Sequence, residues 1–242
     1  SFTTAQEYLD NLPQENLPVW NDELYLEFHR GCYTTHADQK YYNRYCEGLL
    51  YQAELWSSLA SIHLQSPYPK TALSEVWKKV LFNQFHDILP GTSIPEVYEE
   101  ANQQWCKVIE TGESILDNSL QFIASHISLS NLPHPNAKPI VIFNSLNWTI
   151  TEVVSIDIAS ENWIIYDVNG NQIYSQVTSE NNLLFLAEEI PSIGYRLFWL
   201  CPSEKIEQKL TTPSEFILEN DYIKVRVNPE TGDLDSIFDK LQ

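Results

Sequence analysis

The chain has 242 residues, of which 43% are hydrophobic and only 7 are glycine, a composition typical of globular protein with one or two domains. Its 14 basic and 33 acidic residues give a formal net charge of −19, which disfavours nucleic acid and anionic membranes as partners. The 4 cysteines are scattered and form no CxxC pair. We therefore predict reduced thiols in a cytoplasmic protein, without a disulfide framework or a cysteine-based zinc site.

The amino terminus, SFTTAQEYLDNLPQENLP, has neither the basic nor the apolar region of a signal peptide. No apolar run approaches the ~20 residues that span a bilayer. The sequence also contains no methionine, even at position 1. These features lead us to expect an internal piece of a longer protein or a processed product.

The first predicted elements are a short helix over residues 1–12 and, after an irregular segment, a long helix. Thr35, followed three residues later by Asp38, has the form of a capping box that opens a helix at His36. Beyond it, apolar residues recur at spacings of 3 and 4, as on one face of a helix. They are Tyr42, Tyr45, Leu49, Ala53, Trp56 and Leu59.

Two further helices complete a predicted bundle. The second long helix ends at the Pro90-Gly91 pair, and its apolar face carries Leu73, Trp77, Val80 and Leu81. Ser93 and Glu96 form a second capping box, with Pro95 in the first turn, where a missing N–H costs little. The third helix has an apolar face of Val97, Ala101, Trp105, Val108, Gly112, Ile115 and Phe122. Three amphipathic helices with short connections indicate a three-helix bundle.

The periodicity changes from helix to strand after a linker rich in proline and asparagine at residues 129–139. The segment PIVIFN predicts a strand, residues 154–158 alternate apolar with polar, and Asn169-Gly170 between strand-like runs indicates a hairpin. A last pair of strands lies in YIKVRVNPETGDLDSIFDK. The predicted fold class is α+β with several domains: an N-terminal three-helix bundle at residues 35–130 and an antiparallel β domain at residues 139–242, its last strands incomplete.

The pair His86-Asp87 is the first candidate site. We predict it in the last turn of the second long helix, where partial negative charge and free carbonyls favour a cation. Neutral imidazole binds zinc well, and the aspartate could bind the metal or sugar hydroxyls. The alternative, favoured by the local sequence taken alone, is that His86 packs and Asp87 caps the helix or faces water.

The other candidate ligands do not complete a metal site from sequence alone. His36 and Asp38 have the H-x-D spacing of paired ligands, but the capping box explains them more simply. His63, His126 and His134 are predicted on the surface or in the linker. Glu23–His36 gathers aromatic, histidine and arginine residues in a loop that could line a sugar site or could bury its aromatics against the bundle. Glu23 and Glu27 lie four apart there, but spacing does not fix a catalytic carboxylate separation.

Several stretches, taken together and in order, resemble the alpha-mannosidases of glycoside hydrolase family 38. They are ELYLEFHRGCYTT, LFNQFHDILPGTSIPEVYEEA, VIFNSLNW, IPSIGYRLF and LENDYIKVRVNPETGDLDSIFDK, and they cover nearly the whole chain. The second stretch is the most specific. The helical part resembles the family's middle domain, and the rest resembles the start of its C-terminal β domains.

The resemblance implies a retaining glycosidase acting on mannose-containing oligosaccharides, with an aspartate nucleophile, an acid/base carboxylate and a zinc ion that binds sugar hydroxyls. It implies that His86 is a zinc ligand and that Asp87 contacts metal-bound sugar hydroxyls. It also places His29, Arg30 and Tyr33 in a loop that borders the sugar, although some members carry tryptophan where His29 stands.

The family's N-terminal barrel, which holds the nucleophile and further zinc ligands, has no counterpart in this sequence. Residues 1–34 would then be the tail of that catalytic domain and the active-site loop. We expect no catalytic residue in the chain and no hydrolysis by the chain alone. Without that domain in cis, we expect weak zinc binding or none. The chain could also form homo-oligomers. Two other classes stay open: a non-catalytic helical and β binding or scaffolding module, and a metal phosphohydrolase, which needs more histidine ligands.

Overall fold

The computed structural model describes residues 2–13, 15–21, 30–129, 132–158, 163–203 and 216–241. The chain divides into two compact units, residues 1–126 and 127–242. The first unit contains all the helices of the described residues, and the second contains their strands. The predicted α+β class is therefore confirmed.

The first helix, α1 (Ala5–Asp10), begins with a capping box formed by Thr4 and Glu7. The Glu7 amide donates to the Thr4 hydroxyl at 3.2 Å, and the Thr4 amide donates to the Glu7 carboxylate at 3.2 Å. These reciprocal bonds satisfy two main-chain donors that a helix start otherwise leaves unpaired.

Three longer helices follow: α2 (Ala37–Leu64), α3 (Lys70–Asn83) and α4 (Pro95–Ser125). The apolar positions expected from the 3.6-residue period largely form their core. Its buried hydrophobic residues include Cys46, Leu49, Leu50, Ala53, Trp56, Leu73, Val76, Val80, Trp105, Val108 and Ile115. Leu81 is an exception: it was predicted on the buried face of α3 and is 61% exposed.

Helix α2 begins where the sequence places it, to within one residue, but the predicted capping box at Thr35 is wrong. The residue before the helix is His36, in a left-handed conformation with φ of 49° and without a side-chain cap. The Thr35 methyl group faces Gly91 at close range, so this side chain packs between segments instead of capping the helix.

A buried polar contact fixes the register of α2 against α4. The indole N–H of Trp105 donates to the Gln39 side-chain oxygen at 2.8 Å, and both residues are fully buried. Gln39 also donates to Asn102 at 2.6 Å. Because a buried amide without partners costs free energy, these paired groups favour this packing over slipped alternatives.

The described residues of the second unit form ten strands in three antiparallel sheets, ordered β1-β7-β3-β4, β2-β6-β5 and β10-β9-β8. Their bounds are β1 Lys138–Asn144, β2 Ile150–Asp157, β3 Trp163–Asp167, β4 Gln172–Ile173, β5 Ser175–Val177, β6 Asn182–Ile190, β7 Gly194–Pro202, β8 Ile217–Glu219, β9 Ile223–Val227 and β10 Leu234–Asp239. The predicted hairpin around Asn169-Gly170 joins β3 to β4, and Gly170 has a φ of 83°, which glycine adopts without strain.

The core of this unit lies between the first two sheets, where alternate residues of β3, β6 and β7 are buried. At its edge, Asn144 is 1% exposed, and its amide nitrogen contacts the carbonyl oxygens of Trp148, Ile190 and Pro191 at 2.8, 3.2 and 3.1 Å. Its side-chain oxygen accepts from the Leu146 amide at 2.9 Å. One side chain thus holds the turn after β1 against the end of β6.

Among the described residues, no helix is long and apolar enough to cross a membrane. The four cysteines are all free thiols.

Candidate functional site

The His86-Asp87 pair lies in a tight turn between α3 and α4, not in the last turn of a helix as predicted. Helix α3 ends at Asn83. This residue is fully buried, and its side-chain nitrogen Nδ2 donates to the Ala101 carbonyl oxygen of α4 at 3.4 Å. After it, the Phe85 carbonyl accepts from the amides of Ile88 and Leu89 at 2.9 and 3.1 Å. Pro90 therefore closes a turn already formed and does not itself stop the helix.

The two side chains of the pair lie side by side and face outward. His86 Nε2 is 3.3 Å from Asp87 Oδ2, and the side chains are 79% and 50% exposed. The Phe85 ring lies 4.3 Å from the His86 ring, centroid to centroid. The other carboxylate oxygen of Asp87 accepts from the Thr92 hydroxyl at 3.0 Å. One oxygen is thus held by the protein, and the other is presented beside an imidazole nitrogen.

Helix α4 and the residues just before it hold the turn through the main-chain carbonyl of Asp87. Ser93 Oγ donates to it at 2.7 Å and the Tyr98 hydroxyl at 3.3 Å. The predicted capping box at Ser93 is therefore wrong, since Ile94 precedes the helix without a side-chain cap and the Ser93 hydroxyl bonds to the turn. Pro95 does stand at the helix start, as predicted.

The segment before α2, residues 30–36, borders the same turn. A β-carbon built on Gly91 would lie 2.8 Å from Thr35 Cγ2 and 2.9 Å from the Thr35 carbonyl oxygen, so the two main chains are in close contact. The Lys40 ammonium donates to the carbonyl oxygens of Thr35 and Leu89 at 2.7 and 2.8 Å, which ties the segment to the turn.

The structure thus brings part of the predicted sugar-binding loop next to the His-Asp turn. Arg30 is exposed there, and Tyr33 is 77% exposed. His29, Glu23 and Glu27, which were predicted in the same loop, lie outside the described residues.

The described histidines of the helical unit, other than His86, add no third ligand to this turn. His36 Nδ1 is 3.6 Å from Asp38 Oδ1, and the His36 ring stacks on Tyr98 at a centroid distance of 3.8 Å. His63 and His126 are exposed at the ends of their helices, as predicted for surface residues. Within the described ranges, no three histidine, cysteine, aspartate or glutamate side chains come together to hold a metal.

The pair supplies donor types that zinc binds, namely a histidine nitrogen and a carboxylate oxygen. The His86 side chain is exposed, and its Nε2 lies 3.3 Å from Asp87 Oδ2, the separation of an ion pair. The donor chemistry therefore fits a zinc ion, provided that further ligands come from outside the described residues.

Sequence reasoning found His86 and Asp87 but missed the residues that hold them: Lys40, Thr92, Ser93 and Tyr98. Only a weak signal pointed to them, namely hydroxyl residues five and six positions after Asp87. Ser93 also satisfied a capping-box pattern, which concealed its contact with the turn.

Residues 27–123 match the family described as the alpha mannosidase middle domain. The chain is 32% identical over 229 residues to Alpha-mannosidase 2C1 of Mus musculus, which covers 91% of this chain and 19% of the relative. It is 31% identical over 179 residues to Alpha-mannosidase of Saccharomyces cerevisiae, covering 71% of this chain and 16% of the relative.

A solved structure of an alpha-mannosidase from Enterococcus faecalis V583 superposes with a TM-score of 0.69 at 20% identity, covering 98% of this chain and 32% of that one. A glycosyl hydrolase family 38 protein from Enterococcus faecalis superposes with a TM-score of 0.70, also at 20% identity, covering 99% of this chain and 33% of that one. At such identity the superpositions establish the fold.

The middle-domain match, the sequence relatives and the shared fold agree with one another. The chain therefore belongs to the alpha-mannosidase family. Within that family, residues 27–123 are its middle domain. The chain spans about a fifth of the length of the mouse and human relatives it matches.

Proposed function

We propose that this chain forms one wall of the sugar site of a zinc-dependent, retaining alpha-mannosidase that hydrolyses alpha-mannosidic bonds. The observation that carries the proposal is the outward-facing pair of His86 Nε2 and Asp87 Oδ2, 3.3 Å apart on a turn held by two neighbouring segments. Mannose-containing glycans are the expected substrate because the relatives are named alpha-mannosidases.

Each residue of the wall has a role that its chemistry allows. His86 would hold zinc through Nε2. Asp87 would accept hydrogen bonds from sugar hydroxyls, with its second oxygen kept in place by Thr92. Arg30 and Tyr33, in the bordering segment, would contact the sugar through their donors and the tyrosine ring, and the same role is proposed for His29. When bound, zinc would orient the sugar by its hydroxyls.

The nucleophile, the acid/base carboxylate and the remaining zinc ligands are proposed to come from a catalytic domain joined in cis, for which residues 1–34 supply the tail and loop. Exposed apolar side chains that precede the pair in the sequence support a surface that another domain covers. Leu81, Phe82 and Phe85 are 61%, 61% and 52% exposed. Clusters of exposed apolar residues commonly mark interaction surfaces. The chain alone is therefore proposed to be inactive and to bind zinc weakly or not at all.

The proposal is tested by hydrolysis of an aryl alpha-mannoside by the whole protein that contains this chain. His86→Ala should lower kcat/KM by more than about 100-fold, since removing a group that only orients a metal ligand already costs about 10–100-fold. Asp87→Asn should lower it by roughly 10–100-fold, as expected for a lost hydrogen bond to a charged group.

His63→Ala is the matched control, because it removes an exposed histidine at the end of another helix. If His86→Ala is as active as His63→Ala, the wall has no role in the reaction and the chain is better described as a binding or scaffolding module. Hydrolysis by residues 1–242 alone would contradict the proposed need for a second domain.

A further inference from the structure

The main-chain carbonyl of Asp87 and the main-chain amide of Ser93 meet at one hydroxyl group, that of Tyr98. The Ser93 amide donates to Tyr98 Oη at 2.8 Å, and Tyr98 Oη lies 3.3 Å from the Asp87 carbonyl oxygen, to which it donates. A tyrosine hydroxyl can accept and donate at once. It therefore bridges the two ends of the segment 87–93, and Ser93 Oγ reinforces the bridge with its own 2.7 Å bond to the same carbonyl.

The Tyr98 ring is itself immobilised, so the hydroxyl is held at a fixed place. The side chain is 4% exposed and packs in a small apolar cluster with Ile88 and Ala101. Its outer face stacks on the His36 ring, with 16° between the ring planes. Three structural elements, α4, the turn and the start of α2, thus meet at this ring.

The side chains of His86 and Asp87 depend on this support. They are 79% and 50% exposed, so packing restrains them less than it restrains a buried residue. The direction in which they leave the protein is consequently set by the main chain beneath them. The Asp87 carbonyl links that main chain to Ser93, just before α4, and to Tyr98 of α4.

We infer that Tyr98 is a positioning residue: its hydroxyl fixes the main chain of Asp87 and thereby sets the distance and direction of the His86-Asp87 pair. What the pair binds rests on the proposed function, whereas the fixing of the turn is a property of this chain alone. Groups that orient metal ligands typically change metal affinity or activity by 10–100-fold when they are removed.

Tyr98→Phe removes only the hydroxyl, and Tyr45→Phe is its matched control. The Tyr45 hydroxyl also joins two helices of the bundle, with a 2.9 Å bond to the Glu113 carboxylate, but it makes no bond to the turn. Both variants lose one hydrogen bond between elements. A purely structural role for Tyr98 predicts that the two behave alike.

The first measurement is amide hydrogen exchange at Ser93 in the metal-free whole protein. The amide loses its hydroxyl partner in Tyr98→Phe, so exchange should accelerate about fivefold or more, and Tyr45→Phe should match the wild type there. The second is the zinc dissociation constant, which should rise about 10-fold or more in Tyr98→Phe alone. Ser93→Ala should also weaken zinc binding, and Ser93→Thr, which keeps the hydroxyl, should bind zinc as the wild type does.

The outcomes separate this inference from the proposed function. If the wild type binds zinc through His86 and Tyr98→Phe leaves the zinc dissociation constant unchanged, the positioning role is overturned and the proposed function stands. If the wild type binds no zinc through His86, the proposed function fails, and the exchange rate of the Ser93 amide alone tests whether Tyr98 fixes the turn. In either case, equal exchange at Ser93 in Tyr98→Phe and Tyr45→Phe would overturn the inference that the Tyr98 hydroxyl fixes the turn.

Discussion

Replacing Gly91 by alanine should destabilise the bundle and displace the His86-Asp87 turn. Gly91 has a φ of +89°, and its amide donates to the Ile88 carbonyl at 3.1 Å. Two penalties arise from the added methyl group. An L-residue held at a left-handed φ costs about 1–2 kcal/mol.

The second penalty is steric. The new Cβ would lie 2.8 Å from the Thr35 methyl group and 2.9 Å from the Thr35 carbonyl oxygen, so main chain as well as side chain must shift. Overpacking of this kind costs about 1–3 kcal/mol. Together the two penalties come to about 2–5 kcal/mol, a large part of the roughly 5–15 kcal/mol that stabilises a typical domain.

Gly48→Ala provides the control. Gly48 lies inside α2, and a β-carbon there meets nothing within 4 Å among the described residues. Alanine should therefore stabilise the helix by about 0.5–1 kcal/mol. Urea denaturation followed by helical circular dichroism measures both variants, because the described helices all belong to residues 1–126. A Gly91→Ala variant as stable as wild type would refute the close contact between Thr35 and the turn.

Three further predictions concern other parts of the chain. Asn144→Asp should lower the free energy of unfolding, measured by urea denaturation, by about 3 kcal/mol or more, because a carboxylate oxygen would face three carbonyl oxygens in a buried place. A change below about 1 kcal/mol would contradict this reasoning. Burial raises the pKa of the Cys46 thiol to about 12, so iodoacetamide at pH 8 should label exposed Cys106 and spare Cys46; equal labelling would contradict the packing. Hydrogen bonds from Lys240 and Lys224 lower the pKa of Glu219. The stabilisation that this carboxylate provides is present above its unfolded pKa of about 4.3 and is lost as pH falls through the lower folded pKa. Glu219→Gln should remove that part of the acid dependence of stability, and an unchanged acid profile would argue against the ion pairs.

The helices could be predicted from the sequence because burial follows the 3.6-residue period. Leu49, Ala53 and Trp56 were placed on the inner face of α2 and are buried. Leu81 shows the limit of the rule. It fits the apolar face of α3 by spacing but lies on the exposed side next to Phe82, where the sequence pattern cannot distinguish a core residue from one that another domain would cover.

The starts of α2 and α4 were predicted to within a residue, but for a reason that the structure corrects. A hydroxyl residue followed three positions later by an acid satisfies the capping pattern at Thr35 and at Ser93, yet neither caps its helix. Each is used in a contact outside its own helix: Thr35 packs on the distant Gly91, and Ser93 bonds to the Asp87 carbonyl of the preceding turn. Local spacing cannot reveal such competition between tertiary contacts and capping.

The site itself was predictable only in part. The motif around His86 and Asp87 indicated the residue types for zinc and sugar, and the structure places them side by side. The supporting network could not be deduced, since it depends on where α4 and the segment 30–36 meet the turn. The roles of Arg30 and Tyr33 remain predictions, and so does the cytoplasmic location.

The zinc content of the whole protein, wild type beside His86→Ala, tests the central claim most directly. Metal analysis should find about one zinc per chain in the wild type and a large loss in His86→Ala, with His63→Ala unchanged. Residues 1–242 alone should hold little or none. Equal zinc in wild type and His86→Ala, or none in either, would contradict the claim that this turn carries a zinc ligand.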